Sequence, residues 1–258
     1  MEFRPCIDIH NGSVKQIVGG SLKDHDDTAL ENFVSKQDAA FYARLYCEYE
    51  VTNGHIILLN SVTSPYYEET KNQALAALRA YPGGLQVGGG ITPENAEAYL
   101  DAGASHVIVT SYVFKDGLIQ YDRLNELMRK IGKKNLVLDL SARKKDGRYL
   151  IVTDRWQKYT DVELTKSTLD ELSSYCDEFL VHAVDVEGKA NGIEEELAGL
   201  LGDWGQMPIT YAGGVHSFED LRLLKKLGKD KVHVTVGSAL DLFGGSMKFE
   251  EVLRECRR

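Results

Sequence analysis

Short, unbroken apolar runs alternate with longer amphipathic stretches along the whole chain. The runs at 3–9, 56–59, 85–87, 106–110, 136–140, 178–184, 209–212 and 232–236 are mostly β-branched and continuous rather than alternating. That is the pattern of strands buried on both faces of a parallel sheet. Between them, apolar residues recur at helical spacing near 38–49, 70–81, 93–102, 121–131, 169–175, 193–201 and 218–227, and a closing helix covers 249–256. Thr92-Pro93-Glu94-Asn95, and Ser217 ahead of Phe218-Glu219, carry helix-start chemistry, with Pro93 at the first helical position. Eight strands alternating with eight helices predict one α/β domain spanning 1–258, a (β/α)8 TIM barrel. An open doubly wound sheet is the alternative that the same alternation allows.

Two segments break the rhythm. Residues 19–37 form a polar stretch between the first strand and the first helix, and 144–160 follow the fifth strand, with Lys145-Asp146-Gly147-Arg148 as a turn between extended arms. Loops of this length in compact domains serve function or are disordered. Both follow strands, so in a barrel both sit on the face where active sites are built. They are expected to close over a ligand as lids.

The halves also repeat. Gly88-Gly89-Gly90-Ile91 recurs as Ala212-Gly213-Gly214-Val215, and Asp8 in Cys6-Ile7-Asp8-Ile9 recurs as Asp139 in Val137-Leu138-Asp139-Leu140. Offsets of 124 and 131 residues are what two fused (β/α)4 units give.

Composition narrows the functional classes. Apolar residues at 43% and charged residues at 27% are ordinary for a globular protein and exclude disorder and collagen. No apolar run reaches bilayer length. The first residues run almost directly into a strand pattern, so no signal or transit segment is expected in the chain. A formal net charge of −9 argues against nucleic acid as a partner. An anionic small molecule can still bind where backbone N–H groups supply positive potential. The four cysteines are dispersed without a CxxC pair, which points to a reducing compartment and to no metal site. Cys6 reads as a packing residue.

Asp8 and Asp139 lie at the ends of otherwise apolar runs. In an eight-stranded ring the first and fifth strands are diametrically opposed, so the two carboxylates are expected to face each other across the mouth. Ionised carboxylates among apolar residues are costly unless paired or protonated. Such a pair suits acid/base catalysis, with one group neutral and one charged. Backbone capping, or pairing with a cation such as Arg143, is the alternative. The glycines at 88–90 and 213–214 follow strands and precede helices, where a phosphate can approach bare N–H groups. Tight turns alone would also use them. Each cluster is backed one strand later by a serine, Ser111 and Ser238. Two such sites imply a ligand with a phosphate at each end. Trp156 is expected to stack on a planar ring of the ligand beside Arg155 or Arg143, or else to pin its loop to the rim. His10 and His182 read as core or supporting residues.

Pro5-Cys6-Ile7-Asp8-Ile9-His10-Asn11-Gly12, Leu85-Gln86-Val87-Gly88-Gly89-Gly90-Ile91, Val137-Leu138-Asp139-Leu140-Ser141, Val181-His182-Ala183-Val184-Asp185-Val186-Glu187-Gly188 and Tyr211-Ala212-Gly213-Gly214-Val215 together resemble one family. It is the eukaryotic branch of the histidine-pathway isomerase, phosphoribosylformimino-5-aminoimidazole carboxamide ribotide isomerase. Lys144-Lys145-Asp146-Gly147-Arg148-Tyr149 and Thr153-Asp154-Arg155-Trp156-Gln157-Lys158 look especially like its plant form. The resemblance implies a duplicated half-barrel enzyme that performs an Amadori rearrangement, aminoaldose to aminoketose, on a two-phosphate substrate without a cofactor. It implies Asp8 as the base that takes the C2′ proton and Asp139 as the acid that protonates the ribose ring oxygen. Phosphate contacts are implied at Gly89, Gly90, Thr110, Ser111, Gly213, Gly214, Gly237 and Ser238, and stacking on the imidazole at Trp156. Arg155, Arg143, His182 and Asp185 complete the expected substrate contacts. Bacterial members carry a catalytic Thr after the sixth strand where this chain has Ala183, so either Asp185, His182 or a water is expected to orient the acid, or the acid is positioned differently in this branch. Leu59-Asn60-Ser61-Val62-Thr63-Ser64 matches no pattern. The expected partner is a small bisphosphate, and the expected protein is a soluble intracellular monomer with no nucleic-acid or membrane partner. Its compartment is the plastid stroma in a plant and the cytoplasm otherwise.

Two rival readings stand beside this one. The cyclase subunit of imidazole glycerol phosphate synthase shares the barrel, the duplication and both Asp, but uses a Lys where this chain has Gln16. A non-catalytic sugar-phosphate-binding barrel is suggested by Ala183 and opposed by the intact Asp8 and Asp139.

Overall fold

The computed structural model describes residues 1–18, 21–22, 28–189 and 191–257. Its barrel strands are β1 (Cys6–His10), β2 (Gly54–Leu58), β3 (Leu85–Gly88), β4 (Val107–Val109), β5 (Leu136–Asp139), β6 (Glu178–His182), β7 (Ile209–Ala212) and β8 (Val232–Val234). Each pairs in parallel with the next, from β1 to β8. The ring closes where Phe3 bridges Val234 in parallel. There the Arg4 N–H donates to the Val234 carbonyl at 2.8 Å, and the Val234 N–H donates to the Glu2 carbonyl at 2.9 Å. That closure excludes the open-sheet alternative. The helices are α1 (Ala39–Glu48), α2 (Tyr67–Ala80), α3 (Pro93–Asp101), α4 (Tyr121–Ile131), α5 (Lys166–Leu172), α6 (Glu195–Trp204), α7 (Phe218–Leu227) and α8 (Phe249–Arg257).

Period-two alternation sorts the strand side chains. Outward residues such as Ile7, Ile9, Ile56, Leu58, Leu138, Phe179 and Val181 pack with the helices in one continuous core. Inward residues Ile57, Ile108, Val137 and Leu180 form a separate cluster inside the ring. Beneath that layer Glu178 is buried, but its charge is satisfied. It pairs with Arg4, accepts from Gln86 Nε2 at 3.0 Å and accepts from Thr210 Oγ1 at 2.7 Å. Above the layer, the same alternation carries Asp8, Asp139 and His182 inward, two residues beyond Cys6, Val137 and Leu180.

Several boundaries differ from the sequence pattern. α5 begins at Lys166 because the Thr165 hydroxyl caps it, accepting from the Thr168 N–H at 3.2 Å. β6 ends at His182, Ala183 makes an isolated parallel bridge to Ala142, and the chain turns from Val184 on. The expected loop 19–37 is in part a strand, since Glu31–Val34 pairs antiparallel with Ser13–Ile17. Phe33 anchors it edge-on against Phe243, 5.9 Å between centroids. Residues 19–20 and 23–27 of that loop lie outside the described residues. After β5, Asp146 (φ 51°) and Gly147 (φ 77°) make the two-residue turn that joins Ala142–Lys145 to Arg148–Thr153. A third strand, Lys158–Glu163, pairs beside them and was not expected from the pattern. No helix among the described residues is long and apolar enough to cross a membrane.

Candidate active site

Two cavities open at the C-terminal mouth of the barrel, of about 350 Å³ and about 30 Å³. Asp8, His182 and Glu187 line both. The larger one is walled by Gly89, Gly90, Thr110 and Ser111, with Asp139, Arg155 and Trp156 at its rim. The smaller one is walled by Gly213, Gly214, Gly237 and Ser238. The structure therefore gathers both expected carboxylates and all eight expected phosphate-contact residues around one mouth.

The glycines are needed for backbone reasons. Gly89 and Gly90 have φ of 106° and 71°, and Gly213 and Gly214 repeat this at 122° and 75°. L-residues avoid that region. A Cβ on Gly89 would lie 2.2 Å from the Leu58 carbonyl oxygen at the end of β2, and one on Gly213 would lie 2.8 Å from the Ala183 carbonyl oxygen just past β6. Each cradle thus packs against the end of the preceding strand. Each also runs into a helix tied back by its third residue. Asn95 accepts from the Thr92 N–H at 2.9 Å and donates to the Gly90 carbonyl at 2.9 Å, and Asp220 accepts from the Ser217 N–H at 3.0 Å.

The two carboxylates sit in different environments. Burial and the nearby negative charge of Glu187 push the Asp8 carboxyl up to about 7, against the pull of His182. Among the described residues its one side-chain hydrogen-bond partner is distant, Gln16 Nε2 at 3.5 Å. Asp139 is also buried, which raises its pKa, but its partners prevail and hold it below the usual carboxylate range. Those partners are His182 Nδ1 at 3.5 Å, the Ser141 N–H at 2.8 Å and the Ser141 hydroxyl at 2.6 Å. Burial works against the charged form of His182, yet Asp139, Glu187 and Asp8 together raise its pKa. Asp8 is therefore the group poised to exchange a proton near neutrality, and Asp139 is an ionised acceptor.

Other expected residues are placed less simply. Trp156 points into the large cavity, donating from Nε1 to Ser141 Oγ at 3.0 Å, with its ring 5.4 Å from that of His182. Arg143 and Asp185 line neither cavity. They are spent on each other, Nε to Oδ1 at 2.9 Å, and Asp185 also accepts from the Lys144 N–H at 2.8 Å. This pairing ties the β5 hairpin to the loop after β6. Ala183 is buried on the outward side, so the side chain that meets the cavity at the end of β6 is His182. The unmatched segment after β2 contributes Leu59, Asn60, Ser61 and Val62 to the wall. Asn60 holds Asn11 by accepting from its N–H at 2.8 Å.

Glu187 and Ser141 were missed in the sequence. Glu187 lies in the turn after β6, half-buried, and burial raises its pKa. Its Oε2 has no hydrogen-bond partner among the described residues and would lie 3.1 Å from a Cβ on Gly213. The only cue was a carboxylate directly ahead of Gly188 in a loop that follows a strand.

A closed, duplicated barrel with opposed inward carboxylates between two glycine cradles has the architecture of a TIM-barrel enzyme. The sequence profile of the histidine biosynthesis protein family matches residues 2–247, and the chain belongs to that family. It is 53% identical to a Medicago truncatula protein over 98% of this chain and 81% of that one. It is 48% identical to a Yarrowia lipolytica protein (97% and 96%) and 44% identical to one from Saccharomyces cerevisiae (98% and 97%). All three relatives are named 1-(5-phosphoribosyl)-5-((5-phosphoribosylamino)methylideneamino)imidazole-4-carboxamide isomerase, and the Medicago protein is described as chloroplastic.

Proposed function

We propose that this chain is that isomerase, converting an aminoaldose to an aminoketose by acid/base chemistry at the barrel mouth. The observation that carries the reading is the pair Asp8 and Asp139 on opposite strands of one cavity, flanked by two equivalent glycine cradles. The cradles suit a phosphate at each end of the substrate, and the carboxylates act on the ribose between them. Asp8 takes the C2′ proton. The Asp139 side of the site delivers the proton that lets the ring oxygen leave. The Asp8 carboxyl is suited to its role because a base works best with a pKa near the working pH. Below about 7 it fills with a proton and the rate falls with it. The protein acts as a monomer on a small bisphosphate. The relative described as chloroplastic supports a plastid location for a plant source; the cytoplasm is the reading for any other source.

The test is turnover of the aminoaldose by the purified protein without ammonia. The isomerase forms the aminoketose and stops. Gln16, where the cyclase uses Lys, approaches Asp8 at 3.5 Å and leaves no ammonium group there. Asp8→Asn is expected to abolish turnover while binding persists. Product from the aminoketose instead, or a near-wild-type rate in Asp8→Asn, refutes the assignment.

A further inference from the structure

The acidic end of the site contains more than one carboxylate. Ser141 has a single hydroxyl proton, and the 2.6 Å contact to Asp139 Oδ1 takes it. Ser141 Oγ then accepts from Trp156 Nε1–H at 3.0 Å and faces His182 Nδ1 at 3.2 Å with a lone pair. Asp139 Oδ1 lies 3.5 Å from the same ring nitrogen. Two acceptors opposite Nδ1 fix a proton there. The second proton of an imidazolium must then sit on Nε2, for which no hydrogen-bond partner occurs among the described residues. His182 lines both cavities. The groups around it are Asp139 from β5, Asp8 from β1, Glu187 from the following loop, His55 from β2 at 6.0 Å between ring centroids, and the Trp156 indole. Three carboxylates against one second histidine favour the charged ring.

We propose that the proton which opens the substrate's ring is carried on His182 Nε2, and that Asp139 is the positioning residue that holds this imidazolium rather than the donor itself. The assignment rests on the isomerase reading above. Nε2–H passes its proton to the ribose ring oxygen, the C1′–O bond breaks with its electron pair going to oxygen, and the amine lone pair forms C1′=N. Asp8 removes the C2′ proton, and that electron pair forms C1′=C2′ while nitrogen recovers its lone pair. The proton on Asp8 then goes to C1′ and the 2′-hydroxyl proton returns to His182. This leaves the ketone with both groups as they began.

His182→Gln keeps a neutral polar side chain and removes the acid. Its kcat is expected to fall about 100-fold or more, the usual worth of a general acid, with KM within about threefold. The wild-type rate is expected to fall at alkaline pH as His182 loses its proton. His182→Gln should lack that limb, and Asp139→Asn should move it to lower pH. Titration of the His182 Cε1–H resonance in the wild-type protein reads the same ionisation directly, even where His182→Gln fails to fold. A His182→Gln enzyme within about threefold of wild type with its alkaline limb intact overturns the assignment. So does a ring that is neutral throughout the active pH range. Wild-type protein that forms no aminoketose defeats the isomerase reading itself, whereas an active wild type with an indifferent His182→Gln defeats only this assignment.

Discussion

The two halves of the barrel carry the same glycine backbone but leave very different space above it. In the first half Gly89 and Gly90 open onto about 350 Å³, and in the second Gly213 and Gly214 face about 30 Å³. The dihedral angles hardly differ, so the divergence comes from what lies on top. Val186 and Glu187 fold over the second cradle, and a Cβ on Gly237 would lie 2.2 Å from Gln16 Oε1. The histidines diverge in the same way. The topmost inward residue of β2 is Ile57 and that of β6 is His182, while His55 lies a layer deeper in β2. Burial and the charge of His182 push His55 down to about 3, whereas His182 is raised by its carboxylate neighbours. Duplication kept the glycine cradles and the Asp8/Asp139 pair, while His182 and Glu187 in the second half have no counterpart in the first.

The largest effect separates the cradles by backbone crowding. Gly89→Ala places a methyl 2.2 Å from a carbonyl oxygen at φ 106°, and Gly213→Ala places one 2.8 Å from its counterpart at φ 122°. Both are expected to cost at least about 2 kcal/mol from left-handed strain and displacement, with Gly89→Ala the worse. Urea midpoints at unchanged m-value check the order. Equal losses would mean that the strand end relaxes as freely in one half as in the other.

Next comes the carboxylate over the second cradle. Glu187→Gln removes a negative charge from beside Gly213 and is expected to tighten inorganic phosphate there several-fold, and by less at the first cradle. Calorimetric titration with phosphate, against a Ser111→Ala control for the first site, reads the difference. Unchanged affinity would mean that Glu187 leaves the cradle whenever an anion enters.

The histidines supply a pH contrast. His55 is buried neutral, with a folded-state pKa of about 3 against 6.5 unfolded. Between those values the unfolded chain binds the extra proton, so stability is full above about 6.5 and falls as pH drops toward 3. The slope from this one group is at most about 1.4 kcal/mol per pH unit. His55→Gln should flatten the acid limb of a stability profile measured by denaturant titration, and an unaltered limb removes His55 as its source.

Much of this was legible in the chain. Eight apolar runs mark the strands, and the carboxylates ending the first and the fifth, opposed in an eight-stranded ring, place Asp8 and Asp139 across the mouth. The glycine clusters at 88–90 and 213–214 mark the two turns after strands, which the structure builds in left-handed backbone. What could not be read depends on contacts distant in sequence. Ring closure joins Phe3 to Val234, and Arg143 meets Asp185 across 42 residues, a pairing that leaves both outside the cavity walls. Glu187 escaped notice because a loop carboxylate reads as solvated until the turn folds it back over Gly213. The strand Lys158–Glu163 is half exposed and lacks a continuous apolar run, so its pattern was too weak to register.

The smallest effect concerns the loop that tells the halves apart from above. Asp154, Arg155 and Trp156 are three successive left-handed residues, φ 51°, 55° and 67°, and each costs of order 1 kcal/mol against the extended or helical regions. Such a turn persists only if anchored. The Asp154 N–H donates to Ser111 Oγ at 3.1 Å, Gln157 Nε2 donates to the Leu22 carbonyl at 3.3 Å, and Trp156 Nε1 donates to Ser141 Oγ at 3.0 Å. Trp156→Phe keeps an aromatic ring in the cavity and removes only the last of these, a net contribution of about 1 kcal/mol. Global stability should stay within about 0.5 kcal/mol, because the loop can open without the barrel. Amide exchange at 154–157 should quicken several-fold. The rate of turnover should fall only a few-fold, since Ser141 keeps its bond to Asp139. If exchange at those amides is unchanged, the indole N–H is not what holds the loop, and the Ser111 and Leu22 contacts carry that task between them.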